Sequence, residues 1–144
     1  MKSKIVVGVD GSEHANRALQ WCAAHAAAFD AEVVVVHVVE VLGFGPSMGP
    51  YGISSPPMTE DEVEEMRDLV RRDWCKVLAD ANVDFRVVVR EGRPAPMLIE
   101  IARSEGAELV VTGRRGRGGF AELLLGSTSH QLAHHVDRPL VIVP

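Results

Sequence analysis

Apolar residues gather in short, nearly unbroken runs at Ile5 to Val9, Val33 to Val39, Phe85 to Val89 and Leu140 to Val143, with a briefer run at Leu109-Val110-Val111. Continuous rather than alternating runs of Val and Ile predict strands buried on both faces, as in a parallel sheet covered by helices. Between them the spacing turns helical. From Glu13 to Phe29 the positions Ala15, Ala18, Leu19, Cys22, Ala26 and Phe29 share a face. From Thr59 to Ala81 the stripe is Val63, Met66, Val70, Trp74, Val77, Leu78 and Ala81, behind an acidic first turn that complements the helix dipole. A third helix is predicted to open at Pro94 to Pro96 and stop near Gly106, and a fourth to run from about Thr128 to Val136, before Pro139.

The predicted order β-α-β-α-β-α-β-α-β implies an α/β fold: an open, doubly wound, five-stranded parallel sheet with helices on both faces and right-handed crossovers. Ligands of such sheets bind beyond the carboxyl ends of the strands, where strand order reverses. Attention therefore falls on Asp10 to Ser12, Val39 to Leu42, Glu91 to Arg93 and the stretch from Gly113 onward. One connection is unusual. Val41 to Pro57 is long and rich in glycine and proline, and it leaves the carboxyl end of the second strand as a surface excursion or a ligand-contacting lid.

Composition narrows the class. The 144 residues suit one domain, 1–144, and 47% apolar with 24% charged residues excludes disordered, collagenous and coiled-coil chains. A net charge of −5 attracts neither nucleic acid nor an anionic membrane, so an anion site must come from a local cluster. Two cysteines, Cys22 and Cys75, suit buried reduced thiols better than a disulfide scaffold. No signal peptide or membrane-spanning run is legible, and a cytoplasmic protein is expected.

The local cluster is Thr112-Gly113-Arg114-Arg115-Gly116-Arg117-Gly118-Gly119-Phe120, followed by Leu123-Leu124-Leu125-Gly126-Ser127-Thr128-Ser129. Glycines let backbone N–H groups approach a ligand, and the arginines supply positive charge. Ser127 is expected to N-cap the last helix, whose first N–H groups carry partial positive charge. Together they make an anion site suited to a polyphosphate. A Walker A loop is excluded, because Gly119 and Phe120 stand where Lys and Ser or Thr are required. A dinucleotide fingerprint at Gly116 to Ala121 needs a following strand that ends in Asp or Glu, and the last apolar run, up to Pro144, has no such acid.

Gly113, Gly116, Gly126 and Ser127 fit the G-2x-G-9x-G-[ST] pattern. With Ile5 to Ser12, His37-Val38-Val39, Glu91-Gly92-Arg93-Pro94 and Arg138 to Pro144, the whole chain resembles the ATP-binding branch of the universal stress protein family. The resemblance implies a three-layer α/β/α fold of the adenine nucleotide alpha hydrolase-like kind, with ATP across the carboxyl ends of the strands. It implies that Asp10 lies near the ribose and the metal-bound phosphates, as the candidate ligand of Mg²⁺. It puts Gly8 and Val9 along the strand end, Val38 at the adenine edge, and Thr112 and Gly113 near the ribose. Gly116, Gly126, Ser127 and Thr128 then contact phosphate. The arginines are additional to the pattern: Arg114 and Arg117, with Gly118 between the glycines of the loop, complete the candidate nucleotide-binding set.

Blander roles stand beside these. Asp10-Gly11-Ser12 also reads as a turn with Ser12 capping the first helix. Glu91-Gly92-Arg93 reads as a strand-to-helix turn. Of Arg114, Arg115 and Arg117, about one is expected to touch phosphate while the others face water. His130 and His134, four apart, could hold zinc, yet Gln131 replaces the Glu of a metalloprotease helix and solvated histidines are expected. His37, inside an apolar strand, is expected to be packed or hydrogen-bonded. Three functions remain. One is an ATP-binding regulatory module with an unknown regulatory partner. Another is a slow ATPase or phosphotransferase, for which no second carboxylate or histidine is evident at a strand end. The last is a dimeric adaptor binding another adenine nucleotide. The edge strand Leu140 to Val143 is apolar, a pairing hazard unless covered, and the resembling family pairs it across a homodimer axis.

Overall fold

The computed structural model of the protein describes residues 1–40, 56–116 and 124–144. The apolar runs form β1 (Ser3–Gly8), β2 (Ala31–Val39), β3 (Phe85–Glu91), β4 (Leu109–Gly113) and β5 (Leu140–Val143), joined in one parallel sheet of order β3-β2-β1-β4-β5. Strand order reverses between β1 and β4, as the alternating pattern implies. The Val41 to Pro57 excursion falls almost entirely on positions outside the described residues, as do Arg117 and Gly118.

Alternation along the strands divides the core in two. Ile5, Val7, Val33, Val35, Val87, Val89, Leu109 and Val111 face α1 (Glu13–His25), α2 (Glu60–Leu69) and α3 (Lys76–Asp80). Val6, Val34, Val36, Val88 and Val110 face α4 (Pro94–Glu105) and α5 (Ser127–His135) through Ala95, Leu98, Ile101, Ala102 and Leu132. Each fully buried valine contributes about 1.5–3 kcal/mol, and burial on both faces keeps the middle of the strands apolar, with charged residues such as Lys4, Glu32 and Arg86 near the strand ends. Ser12 caps α1, its Oγ accepting from the Ala15 N–H at 3.2 Å, and Thr59 and Glu62 form a reciprocal capping box at α2.

Three expectations are corrected. The first helix tightens after His25 into a 3₁₀ turn, Ala26–Phe29, which ends on left-handed Asp30 at φ 46°. The tighter winding rotates Phe29 off the apolar face, and it is 45% exposed. The Thr59 to Ala81 stripe is not one helix. Between α2 and α3 lies a π turn, Val70–Trp74, in which the Cys75 N–H donates to Val70 O at 3.0 Å. That extra residue per turn brings Val70, Cys75 and Leu78 to full burial, while Trp74 is half-buried and Ala81 exposed. Ser127 is not the cap of the last helix: Gly126 holds that position (φ −74°, ψ 170°) with no side-chain cap, and Ser127 is the first helical residue.

Candidate functional site: a glycine-lined cleft at the switch point

Where β1 and β4 diverge, the chain leaves each strand through a turn that its own residues dictate. After β1, the Val9 N–H continues the ladder to Val36 O at 2.9 Å, and Gly11 takes φ 79°. Asp10 Oδ1 accepts from the Ser12 N–H at 2.9 Å, which fixes the carboxylate at the mouth of α1. Its second oxygen, Oδ2, is turned toward Gly116, where a Cβ would fall 2.5 Å away. After β4, the Arg114 N–H donates to Val143 O at 2.7 Å. Arg114 O then accepts from the Gly126 N–H at 2.7 Å and from Ser129 Oγ at 2.7 Å. These bonds clip the start of α5 against the residues leaving β4.

The result is a cleft of about 830 Å³, roomy enough for a cofactor-sized ligand. Gly8, Val9, Asp10, Val38, Thr112, Gly113, Gly116, Gly126, Ser127 and Thr128 line it together, although they come from four separate stretches of the chain. Leu98 and Pro94 add apolar wall from α4. At the other wall the first turn of α5 lacks a side-chain cap, so its N–H groups carry the partial positive charge of a helix N-terminus. Such a cleft can take a flat apolar group on one side and an anion on the other.

The glycines have distinct reasons. A Cβ on Gly8 would lie 2.7 Å from Leu98 Cδ1, and one on Gly113 would lie 2.7 Å from the backbone carbonyl of His14. Both positions admit packing helices. Gly116 instead gives space to the Asp10 carboxylate.

Other residues fall differently from expectation. Arg114 does not line the cleft; its backbone ties β4 to β5 and α5. Arg115 lines it instead. Nothing in the sequence distinguishes these neighbours, because the choice depends on how the loop bends after β4. Glu40, His37 and His130 also line the cleft, so a carboxylate and two histidines share it with Asp10. Spacing carried a signal for His130: it lies three residues after Ser127 and shares its helical face. Its ring is 4.6 Å from that of His134. His37 is held as its place in β2 suggests, with Nδ1–H donating to Val9 O at 2.8 Å and its ring edge-on to Trp74 at 5.0 Å. The Glu91 carboxylate accepts from the Met58 N–H at 2.9 Å and so anchors the chain entering α2, a role beyond the expected turn. Cys22 and Cys75 are buried free thiols whose pKa values burial pushes up to about 12, which leaves them protonated and unreactive near neutral pH.

A parallel α/β sheet with a glycine-lined cleft at its switch point defines a class of small, open-faced ligand-binding folds. Within that class the chain belongs to the universal stress protein family, whose family model matches residues 1–144. It is 30% identical over 151 residues to universal stress protein YxiE of Bacillus subtilis, covering 99% of each. It is 33% identical over 144 residues to a universal stress protein of Mycolicibacterium smegmatis, covering 96% of this chain but 47% of that protein, so the chain spans about half the length of that relative. Among solved structures it is similar to universal stress protein UspA from Lactobacillus plantarum (TM-score 0.77, 20% identity, 99% and 97% of the two chains). It is also similar to a universal stress protein from Archaeoglobus fulgidus in complex with dAMP (TM-score 0.70, 18% identity, 99% and 98%) and to a universal stress protein in complex with cAMP (TM-score 0.69, 24% identity, 99% and 96%). These likenesses establish the fold. No helix among the described residues is long and apolar enough to cross a membrane.

Proposed function

We propose that the chain binds an adenine nucleotide, ATP by preference, in the switch-point cleft and acts as a nucleotide-dependent regulatory module of a cytoplasmic stress response. The observation that carries this reading is the convergence of Gly8 to Asp10, Val38, Thr112 to Gly113, Gly116 and Gly126 to Thr128 on one cleft with an apolar wall and an uncapped helix N-terminus. The dAMP and cAMP complexes of similar folds support the adenine nucleotide. In this reading adenine lies near Val38 and phosphates lie between Gly116 and the start of α5.

Asp10 suits Mg²⁺, a hard cation held by one or two carboxylates together with phosphate oxygens and water. Asp10 Oδ1 accepts from the Ser12 N–H, and Oδ2 faces Gly116, on the side where the phosphates would lie. The cation would supply charge neutralisation between carboxylate and phosphate. The same reading takes the functional unit as a homodimer paired through Leu140 to Val143, with a regulatory partner that senses the nucleotide state.

Mass spectrometry of nucleotide released from the purified protein, followed by calorimetry with ATP, ADP, AMP and cAMP, tests the reading. ATP is expected to bind tightest. Gly126→Val is expected to weaken it at least tenfold, about 1.4 kcal/mol. Folded protein that binds none of the four would end the proposal. A second reading, slow ATP hydrolysis, draws on the presence of Glu40 and His130 at the cleft. Phosphate release that falls in His130→Ala with ATP affinity unchanged would favour it.

A further inference from the structure

Arg114 and Arg115 occupy the two positions between the first glycines of the loop, and the structure uses them differently. Arg114 spends its backbone on β5 and α5, and its side chain is not part of the cleft. The Nε atoms of both arginines are shielded from solvent without a hydrogen-bond partner, but of the two only Arg115 lines the cleft, where a bound ligand could supply the acceptor. Among the described residues no ion pair or hydrogen bond engages its guanidinium. A guanidinium stays charged in any protein environment and carries donors in a rigid plane. An enclosed donor without an acceptor costs free energy that a bound acceptor recovers.

The position of Arg115 identifies the acceptor. A Cβ on Gly126 would lie 3.1 Å from Arg115 Cα, so the main chain of Arg115 passes against the start of α5, and both residues line the same cleft. That turn has no side-chain cap. Arg115 and the first turn of α5 therefore bring positive charge to a cleft whose other charged lining residues, among the described residues, are the acidic Asp10 and Glu40. That combination matches a phosphate, which a guanidinium engages through paired, charge-assisted hydrogen bonds.

We propose that Arg115 is the residue by which this cleft reads phosphate, so that affinity rises from adenosine through AMP and ADP to ATP chiefly through its guanidinium. The proposal rests on the adenine-nucleotide reading above and assigns the specificity within it to one side chain. Arg114, its neighbour in the motif, contributes nothing to that gradient.

Calorimetry at constant ionic strength, with adenosine, AMP, ADP and ATP, tests it on wild type, Arg115→Gln, Arg115→Lys and Arg114→Gln, each shown folded by thermal denaturation. Arg115→Gln is expected to lower ATP affinity about tenfold or more while adenosine stays within about twofold. Arg115→Lys, a point charge without the planar fork, is expected to restore only part of the loss. Arg114→Gln is expected to match wild type across the series. Unchanged ATP affinity in Arg115→Gln overturns the proposal and leaves nucleotide binding standing. Equal losses for adenosine and ATP overturn it too, since Arg115 would then only shape the loop, and so does an Arg114→Gln defect as large as that of Arg115→Gln. Wild type that binds none of the four compounds removes both readings together.

Discussion

A methyl group at Gly113 would meet the His14 carbonyl carbon and oxygen at 2.7 Å, and main chain in the first turn of α1 cannot swing aside as a side chain can. Gly113→Ala is therefore expected to lower unfolding free energy by about 1–3 kcal/mol in urea denaturation, as overpacked sites do. Among the described residues a methyl at Gly116 meets the Asp10 carboxylate, the far end of a side chain. Gly116→Ala is expected to change stability by less than about 1 kcal/mol, within the range of substitutions away from the core. Its effect should instead appear in the metal dependence of ATP binding, because the displaced group is the candidate Mg²⁺ ligand. Asp10→Asn isolates that role. A carboxylate facing phosphate is repulsive without a cation between them, so the variant should lose more affinity in Mg²⁺ than in chelator. Equal ATP affinity of wild type in Mg²⁺ and in chelator would make Asp10 a ribose or turn residue.

At the scale of elements, legibility followed burial. β1, β2 and β4 are legible because strands buried on both faces require unbroken apolar runs, β5 because its short run is apolar although it lies half-buried at an edge, and α4 because Pro94 and Gly106 mark its ends. The π turn at Val70–Trp74 was hidden because a periodic stripe assumes constant winding, and Cys75 is buried only once one residue is inserted into the turn. The cap of α5 was misread for a related reason: Ser127 is a good cap by chemistry, but Gly126 is bonded to Arg114 O and starts the helix one residue earlier. Most of the candidate site was legible because glycine spacing survives any loop path, whereas the choice of Arg115 over Arg114 depends on that path. In the sequence Arg138 carries no signal beyond its place before the last strand. Its Nη1 donates to Ala102 O at 2.9 Å and Ala107 O at 2.6 Å, which closes the carboxyl end of α4 from the other side of β4. Arg138→Ala is expected to cost about 1–3 kcal/mol in urea denaturation, the range for a charged donor lost to part-buried acceptors, with nucleotide affinity unchanged.

Across the whole molecule, the end of the sheet away from the cleft is tied by charge, and its lateral edge at β5 is covered by no further strand among the described residues. Glu105 at the end of α4 is bonded by Arg86 of β3 and, at 2.8 Å, by Lys4 of β1, while Arg86 also donates to Glu32 of β2 at 2.8 Å. The hydrogen bonds from Arg86 and then Lys4 hold the Glu105 carboxyl at about 2, below its usual 4.5. A depressed carboxyl adds stability that is complete above about pH 4.5 and is lost as pH falls through 2. Wild type should exceed Glu105→Gln by about 1–2 kcal/mol at pH 7, after allowance for screening, and the gap should close by pH 2. The sheet's lateral edges are β3 and β5, and the wholly apolar one is β5. Pro139 O and Val143 O both accept from β4, at 3.0 and 2.7 Å. Strand alternation therefore turns the backbone of Val141 toward β4 as well, and that of Leu140 and Ile142 toward the open side. Val141 and Val143 pack on the α1 face and Leu140 on the α4 face, so lysines at those positions would damage the core as well as the edge. Ile142 packs in neither described core cluster and is half-buried in the isolated chain. Proline is tolerated on an edge strand where its missing N–H faces outward. Ile142→Pro should then keep the β4 ladder and remove a donor that a second copy would use. Light scattering at tens of micromolar is expected to give a dimer for wild type and a folded monomer for Ile142→Pro. A monomeric wild type, or a proline variant that still dimerises, would mean that β5 does not pair with its counterpart in a second copy.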